Sequence, residues 1–189
     1  MGSDVAALYI DPRGPYPKML GVECYDEARN AEMYAGPWLV VAHPPCGPWG
    51  RLKHLHRAGG EEFGPHAVWM VREFGGVLEH PAHSMLWRAM GLPRPGEPTD
   101  EHGGRTVEVN QVDWGHVARK KTWLYCVRCE PGPMPPKRDP THWVSGFMRE
   151  GSRGKPPPGI KICSAQQRRR TPVAFAEWLV ALARSAHGR

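Results

Sequence analysis

The sequence contains no hydrophobic run that could cross a membrane, since no stretch reaches the roughly 18 apolar residues of a spanning helix. Its first residues, MGSDVAALYIDPRG, lack the basic start and apolar core of a secretory signal. The five cysteines are odd in number and irregularly spaced, which argues against a disulfide framework. We therefore expect a protein of the reducing cytoplasm, or of the host cytoplasm for a phage-encoded chain, with no membrane partner.

What the sequence has in abundance is glycine, with 22 residues, and proline, with 21, which predicts many turns and short elements. Hydrophobic residues make up 40% and charged residues 23% of the chain, as in globular domains, so fibrous and disordered classes are excluded. A length of 189 residues predicts one domain over 1–189. The formal net charge of +6 favours a polyanionic partner, DNA or a pyrimidine nucleotide.

Short apolar runs alternate with helical patterns along the chain. The apolar runs predict strands at 5–10, 21–25, 38–42, 76–79, 105–112 and 122–128. The helical patterns predict helices at 64–74, over a short stretch at 82–90, and at the end of the chain, where Thr171 is the expected cap. This order predicts an α/β fold, a three-layer sandwich with a largely parallel sheet. The Pro/Gly-rich residues 130–160 are expected to form an insertion or a small substrate-recognition region within the domain.

Cys46 follows the clearest predicted strand, in the loop HPPCGPWG at 43–50. The prolines stiffen this loop and fix the direction of the thiol at little entropic cost. Because ligands of parallel sheets bind at the carboxyl ends of the strands, Cys46 is a candidate nucleophile whose pKa we expect nearby cations to lower. The alternative is a buried structural cysteine.

Glu79 ends the next buried strand and is expected at the same edge of the sheet. A thiol and a carboxyl group at adjacent strand ends suit one reaction: the thiolate adds to C6 of a pyrimidine while the acid donates a proton to N3. The addition makes C5 nucleophilic. The alternative is a structural carboxylate that caps the following helix.

Three segments, VVAHPPCGPWG, GGVLEHP and VDWGHVARKKTWLYCV, resemble the catalytic motifs of DNA cytosine-5 methyltransferases in their order and approximate spacing. The chain is similar to small phage-encoded, methyltransferase-like proteins with these segments. The resemblance implies a reduced Rossmann-like methyltransferase fold and base flipping from the duplex. It also implies that Cys46 is the nucleophile, that Pro45 positions it and that Glu79 is the acid that contacts the base. The basic residues near the DNA backbone would be Arg119, Lys120 and Lys121.

The sequence departs from that family at His80, which stands where the family has asparagine, and in its cofactor half. The 45 residues before Cys46 contain no Gly-rich loop for S-adenosylmethionine (AdoMet), only the single glycine of Asp11-Pro-Arg-Gly14. Three possibilities therefore stay open: AdoMet-dependent methylation, AdoMet-independent pyrimidine hypermodification or C5-substituent chemistry, and a protein partner that supplies the cofactor site. A non-enzymatic DNA-binding accessory protein is the alternative of another class.

Four weaker signals complete the candidate site. Trp49 either stacks on a base or packs its loop, and His80 is a candidate substrate-binding or supporting hydrogen-bond partner. The basic run at 166–170 is either a phosphate-contacting rim or a solvated face. No metal is expected, although a zinc site stays open on Cys126, Cys129, His142 and Cys163.

Overall fold

The computed structural model describes residues 2–26, 29–50, 59–144, 159 and 161–186. Its centre is a six-stranded sheet with the order β2-β1-β3-β4-β6-β5. The first four strands in that order are parallel, whereas β6 runs antiparallel to both of its neighbours. The strands are β1 (Val5–Leu8), β2 (Val22–Tyr25), β3 (Leu39–Ala42), β4 (Gly76–Pro81), β5 (Gly104–Asn110) and β6 (Lys121–Val127).

Helices cover both faces of this sheet. The helices are α1 (Phe63–Phe74), α2 (Met85–Ala89), α3 (Ala165–Arg169) and α4 (Val173–Arg184), and 3-10 turns lie at Tyr16–Lys18, Ala31–Met33 and Gln111–Trp114. Helices α1 and α2 pack on one face and α4 packs on the other. A separate parallel pair joins β7 (His142–Trp143) to β8 (Lys161–Ile162). The α/β class with a largely parallel sheet is thus confirmed, in an arrangement compatible with three layers.

The central strands read as unbroken apolar runs because both of their faces are buried. In β3, Val41 packs toward α4 and Val40 toward α1, and both are fully buried. At Gly76, where φ is 117°, an added Cβ would point toward the paired strand β3 and lie 2.1 Å from the Val40 carbonyl oxygen. Glycine is therefore required where β4 begins.

Several of the observed elements differ from the predicted ones. The predicted strand 105–112 ends at Asn110 and continues as the 3-10 turn that begins at Gln111. The final helix begins at Val173 with Pro172 as its N-cap residue, so Thr171 does not cap it. Helix α3 was not predicted, because its five residues bury no side chain and therefore carry no apolar pattern.

One edge of the sheet collects the segments that carry most of the predicted site residues. The carboxyl ends of β1, β3 and β4 lie beside the beginning of β6, because Leu8 pairs with Ala42 and Pro81 pairs with Thr122. The end of β5 reaches the same edge, where Asn110 pairs with Lys121. We call this the site edge. Within the described part of the chain, no helix has the length and hydropathy of a bilayer span.

Candidate functional site

The loop after β3 places Cys46 at the site edge. The chain stays aligned with β1 for one residue, since the His43 N–H donates to the Leu8 carbonyl at 3.0 Å. It then turns at Cys46, whose carbonyl accepts from the Trp49 N–H at 3.2 Å. The Trp49 carbonyl in turn accepts from the Met85 N–H of α2 at 3.0 Å. Cys46 is therefore exposed on a turn fixed at both ends.

The thiol of Cys46 is less acidic than expected. Although the side chain reaches solvent, partial burial raises the pKa of Cys46, and the negative charge of Glu79 raises it further. Lys120 and Arg169 oppose this shift without reversing it. The prediction of a lowered Cys46 pKa is wrong, because burial of the thiol, together with the Glu79 carboxylate at the same edge, outweighs the cations.

Glu79 lies at the centre of a hydrogen-bond network and is 8% exposed. Its Oε2 accepts from His43 Nδ1 at 2.9 Å and its Oε1 accepts from Gln111 Nε2 at 2.9 Å. Burial acts to raise the pKa of Glu79, but the charge of Lys120 and the His43 hydrogen bond lower it to about 2. At neutral pH this side chain is therefore a carboxylate held by two donors.

The network continues on both sides of Glu79. Because His43 Nδ1 donates its hydrogen bond to the Glu79 carboxylate, His43 Nε2 is the acceptor for the Tyr16 hydroxyl, 2.6 Å away. On the other side, Gln111 Nε2 also contacts Thr122 Oγ1 at 3.0 Å. Burial raises the pKa of Tyr16 well above its usual range, and the Glu79 charge adds to this effect, so Tyr16 stays protonated. We call these five side chains, Tyr16, His43, Glu79, Gln111 and Thr122, the Glu79 network.

His80 points to the opposite face of β4 from Glu79, as strand alternation requires. Its ring is fully buried beside Trp87, with ring centroids 6.4 Å apart. The Pro45 carbonyl approaches this ring without meeting hydrogen-bond geometry, and neither ring nitrogen has a hydrogen-bond partner among the described residues. Burial lowers the pKa of His80 to about 4, so the imidazole is neutral.

Trp49 is partly buried and packs on α1. Its indole Nε1 lies so close to Gly64 that an added Cβ at that glycine would be 2.7 Å away. The ring joins the apolar cluster beneath the loop, where Leu86 of α2 also contacts Gly64. The structure therefore places Trp49 in the packing of the loop, with its Nε1 buried and without a hydrogen-bond partner in the part of the chain that the structure describes.

The three consecutive basic residues of the predicted site diverge. Lys121 forms an ion pair with Glu108 at 2.8 Å, and Arg119 is exposed. Lys120 is half-buried, and its charge lowers the pKa of Glu79 and of Cys46. Strand alternation explains the split, since Lys121 points away from the face that carries Thr122. Lys120 is thus the member of this run that the fold brings to the site.

Helix α3 adds an arginine that the sequence analysis had only as part of a basic run. The helix starts with a capping box, in which Ser164 Oγ accepts from the Gln167 N–H at 3.1 Å. His116 holds the helix to the loop before β6, because its Nε2 lies 3.1 Å from the Gln167 carbonyl oxygen. The charge of Arg169 then lowers the pKa of Cys46. The Ser-x-x-Gln pattern at 164–167 was the available sequence signal.

Among the described residues, the four side chains of the zinc alternative do not form a metal-binding group. Cys126 and Cys129 are buried under α4, and the Cys129 thiol lies 3.1 Å from the Gly76 carbonyl oxygen. His142 instead contacts the hydroxyl of Thr141 at 2.9 Å. Across the described ranges, no three His, Cys, Asp or Glu side chains are grouped to hold a metal ion.

The segment after β1 does not fit an AdoMet cradle. Tyr9, at φ 59°, directs its hydroxyl to His66 Nδ1 at 2.8 Å, and Asp11 pairs with Arg13. Gly14 is the single glycine there, and an added Cβ would lie 2.9 Å from the Asp11 carbonyl oxygen. The next element is the 3-10 turn at Tyr16–Lys18, so residues 9–18 present no α-helix N-terminus to a cofactor. We derive no step through AdoMet.

Tyr16, Gln111 and Thr122 were missed as site residues, and His43 was not linked to Glu79. His43 had a signal, since it follows a strand that ends at the same edge as Glu79. Gln111 was hidden in the predicted strand 105–112.

No protein-family model matches this sequence, and no curated protein matches it at a significant level. The geometry of the site edge is therefore the basis for assigning a function.

Proposed function

We propose that this chain modifies a pyrimidine base, cytosine in DNA in the first instance, through a covalent bond between Cys46 Sγ and C6 of the base. One observation carries the proposal: an exposed thiol shares the site edge with an ionised carboxylate and a lysine, and both charges act on the thiol. A buried carboxylate with a strongly perturbed pKa is a functional-site signal, although structural networks also produce it.

The strand order supports the finer part of this proposal, the reduced Rossmann-like methyltransferase fold. A largely parallel sheet in which the penultimate strand, β6, is reversed has the arrangement of the methyltransferase sheet without one edge strand. In that comparison Cys46 and Glu79 follow the strands that carry the two catalytic motifs. Cytosine-5 chemistry thus agrees with the placement of both residues.

The reaction begins when the Cys46 thiolate adds to C6. The S–C6 bond forms, the C5=C6 π electrons form a C4=C5 bond, the C4=N3 π electrons move onto N3, and N3 takes up a proton. Glu79 contributes as an acceptor: two of its roughly four lone-pair sites are taken by His43 and Gln111, and the others suit the N4 amine of cytosine. A base in duplex DNA reaches this edge only after flipping.

The surroundings of the site suit a polyanion. Lys120 and Arg169 act on the thiol, and the exposed Arg170 follows α3. The Pro/Gly-rich segment also returns here, because the Thr141 and His142 N–H groups both lie 2.9 Å from the Val117 carbonyl oxygen. This placement supports the proposal that part of 130–160 contributes to substrate recognition.

The test is exchange of the C5 hydrogen of cytosine for deuterium in heavy water, since adduct formation makes C5 basic without any cofactor. We expect exchange by the wild type and by the control variant Cys24→Ser, and a loss of at least about 100-fold in Cys46→Ser. Exchange by Cys46→Ser at the wild-type rate would refute the nucleophile. Salt-sensitive DNA binding without any exchange would favour the accessory-protein alternative.

A 5-fluorocytosine oligonucleotide separates the two enzymatic alternatives. Fluorine cannot leave as a cation, so the Cys46 adduct becomes permanent only after an electrophile has been transferred to C5. A stable adduct that requires AdoMet indicates methylation. Hydrogen exchange without an AdoMet-dependent adduct indicates AdoMet-independent chemistry, which the poor fit of residues 9–18 to a cofactor favours.

A further inference from the structure

We infer that Lys120, rather than Glu79, is the catalytic acid that delivers the proton to N3 of the base during adduct formation. This inference rests on the proposed function, because it assigns a step of the same reaction. It changes the role that the family resemblance implies for two residues: Glu79 becomes the acceptor that binds the base, and Lys120 becomes the proton donor.

Glu79 has no proton to give. Both of its oxygens accept hydrogen bonds, from His43 Nδ1 and from Gln111 Nε2, each at 2.9 Å. Hydrogen bonds donated to both oxygens favour the ionised form of a carboxyl group over the protonated form. The low pKa of Glu79 agrees with this geometry, so protonation of Glu79 at neutral pH would be rare.

The backbone of Lys120 is clamped to the Glu79 network. Its carbonyl accepts from the Gln111 N–H at 3.1 Å and from Thr122 Oγ1 at 3.2 Å, and its N–H donates to Asn110 Oδ1 at 3.0 Å. Lys120 therefore begins its side chain beside the residues that hold Glu79. Lys120 is half-buried, and its positive charge is the main charge that lowers the pKa of Glu79 and also lowers the pKa of Cys46.

The other described groups around Glu79 and Cys46 do not suit this role. Both ring nitrogens of His43 are engaged, and the neutral His80 lies on the opposite face of β4. Tyr16 is 2% exposed and cannot reach a base. Arg169 carries a guanidinium that does not deprotonate in proteins. Lys120 combines charge, position and a transferable proton.

The step balances in protons and electrons. Cys46 loses its proton to solvent before attack, and the thiolate electron pair forms the S–C6 bond. The displaced π electrons reach N3, which takes a proton from the Lys120 ammonium and leaves a neutral amine. When the adduct collapses, N3 returns the proton to Lys120 and the thiolate is released.

The test compares Lys120→Met and Lys120→Arg with the control Lys18→Met, which removes an exposed lysine at the end of the 3-10 turn Tyr16–Lys18. The readout is C5-hydrogen exchange at saturating oligonucleotide, together with the oligonucleotide Kd. We expect both Lys120 variants to lose about 100- to 10,000-fold in exchange rate, and Lys18→Met to retain it. Lys120→Arg keeps the positive charge, so a loss of exchange in this variant shows that Lys120 acts by donating a proton and not through its charge alone. Its Kd is expected to change by less than about tenfold.

Chemical rescue provides a readout that a structural role would not produce. Ethylammonium added to Lys120→Ala is expected to restore exchange in proportion to its concentration. Tetramethylammonium, which carries the same charge but has no N–H proton, is not expected to restore it. Wild-type exchange rates in Lys120→Arg, or equal responses to the two cations, would overturn the inference. Wild-type protein without any exchange would overturn the proposed function and this inference together, whereas loss in Cys46→Ser with unaffected Lys120 variants overturns this inference alone.

Discussion

Acidification is expected to destabilise the fold through Glu79. The pKa of Glu79 is about 2 in the folded chain against a usual value of 4.5, a difference of about 2.5 units or about 3 kcal/mol. Because the folded pKa is the lower one, this stabilisation is complete above about pH 5 and disappears as the pH falls toward 2. Between pH 7 and pH 3 the loss from this group is about 2 kcal/mol.

Urea unfolding at pH 7 and at pH 3 measures this term. The wild type also contains other titrating carboxylates, so the comparison is with Glu79→Gln, whose loss between the two pH values is expected to be smaller by about 2 kcal/mol. Glu101→Gln is the matched control, because that side chain is 89% exposed. An equal loss in wild type and Glu79→Gln would refute the assignment of Glu79 as a buried, ionised carboxylate.

Three further predictions concern the thiol and the sheet. Because the pKa of Cys46 is raised above its usual value near 8.5, the rate of C5-hydrogen exchange is expected to rise about tenfold per pH unit from pH 7 to 8.5; a plateau below pH 8 contradicts this. Arg169→Ala removes a charge that lowers the Cys46 pKa, so alkylation of Cys46 by iodoacetamide at pH 8 is expected to slow, and an unchanged rate would remove Arg169 from the site. Gly76→Ala brings a Cβ to 2.1 Å from the Val40 carbonyl oxygen, and urea unfolding should show a loss of about 3 kcal/mol or more, whereas Gly132→Ala, with open space around it, should change little; similar effects in the two variants would disprove the positive-φ backbone geometry at Gly76.

The parts of the fold that the sequence predicted are those with a local signal. The strand β3 was visible because a strand buried on both faces is apolar throughout, and Cys46 and Glu79 were visible because each ends such a strand. The direction of β6 was not predictable, since an apolar run looks the same in either direction. The reversal nevertheless decides that the beginning of β6, with Lys120, lies at the site edge.

The Glu79 network was beyond local patterns for another reason. Tyr16 and His43 are 27 residues apart, and Gln111 lies 32 residues from Glu79, so the hydrogen bonds between them depend on strand order. The pKa of Cys46 could not be inferred from the count of cations in the chain. It depends on burial and on the distance to Glu79, which the tertiary structure alone determines.

The reversal of β6 has a practical consequence for protein engineering. Since β5 ends and β6 begins at the same edge, the connection over 111–120 leaves and re-enters the sheet on the side of the thiol. Lengthening a surface connection costs little, about 0.6 kcal/mol per doubling of loop length. Libraries of inserted peptides near Gly115, where the chain is exposed, would therefore present new sequences on the side of the sheet that carries Cys46 while the six strands keep their order.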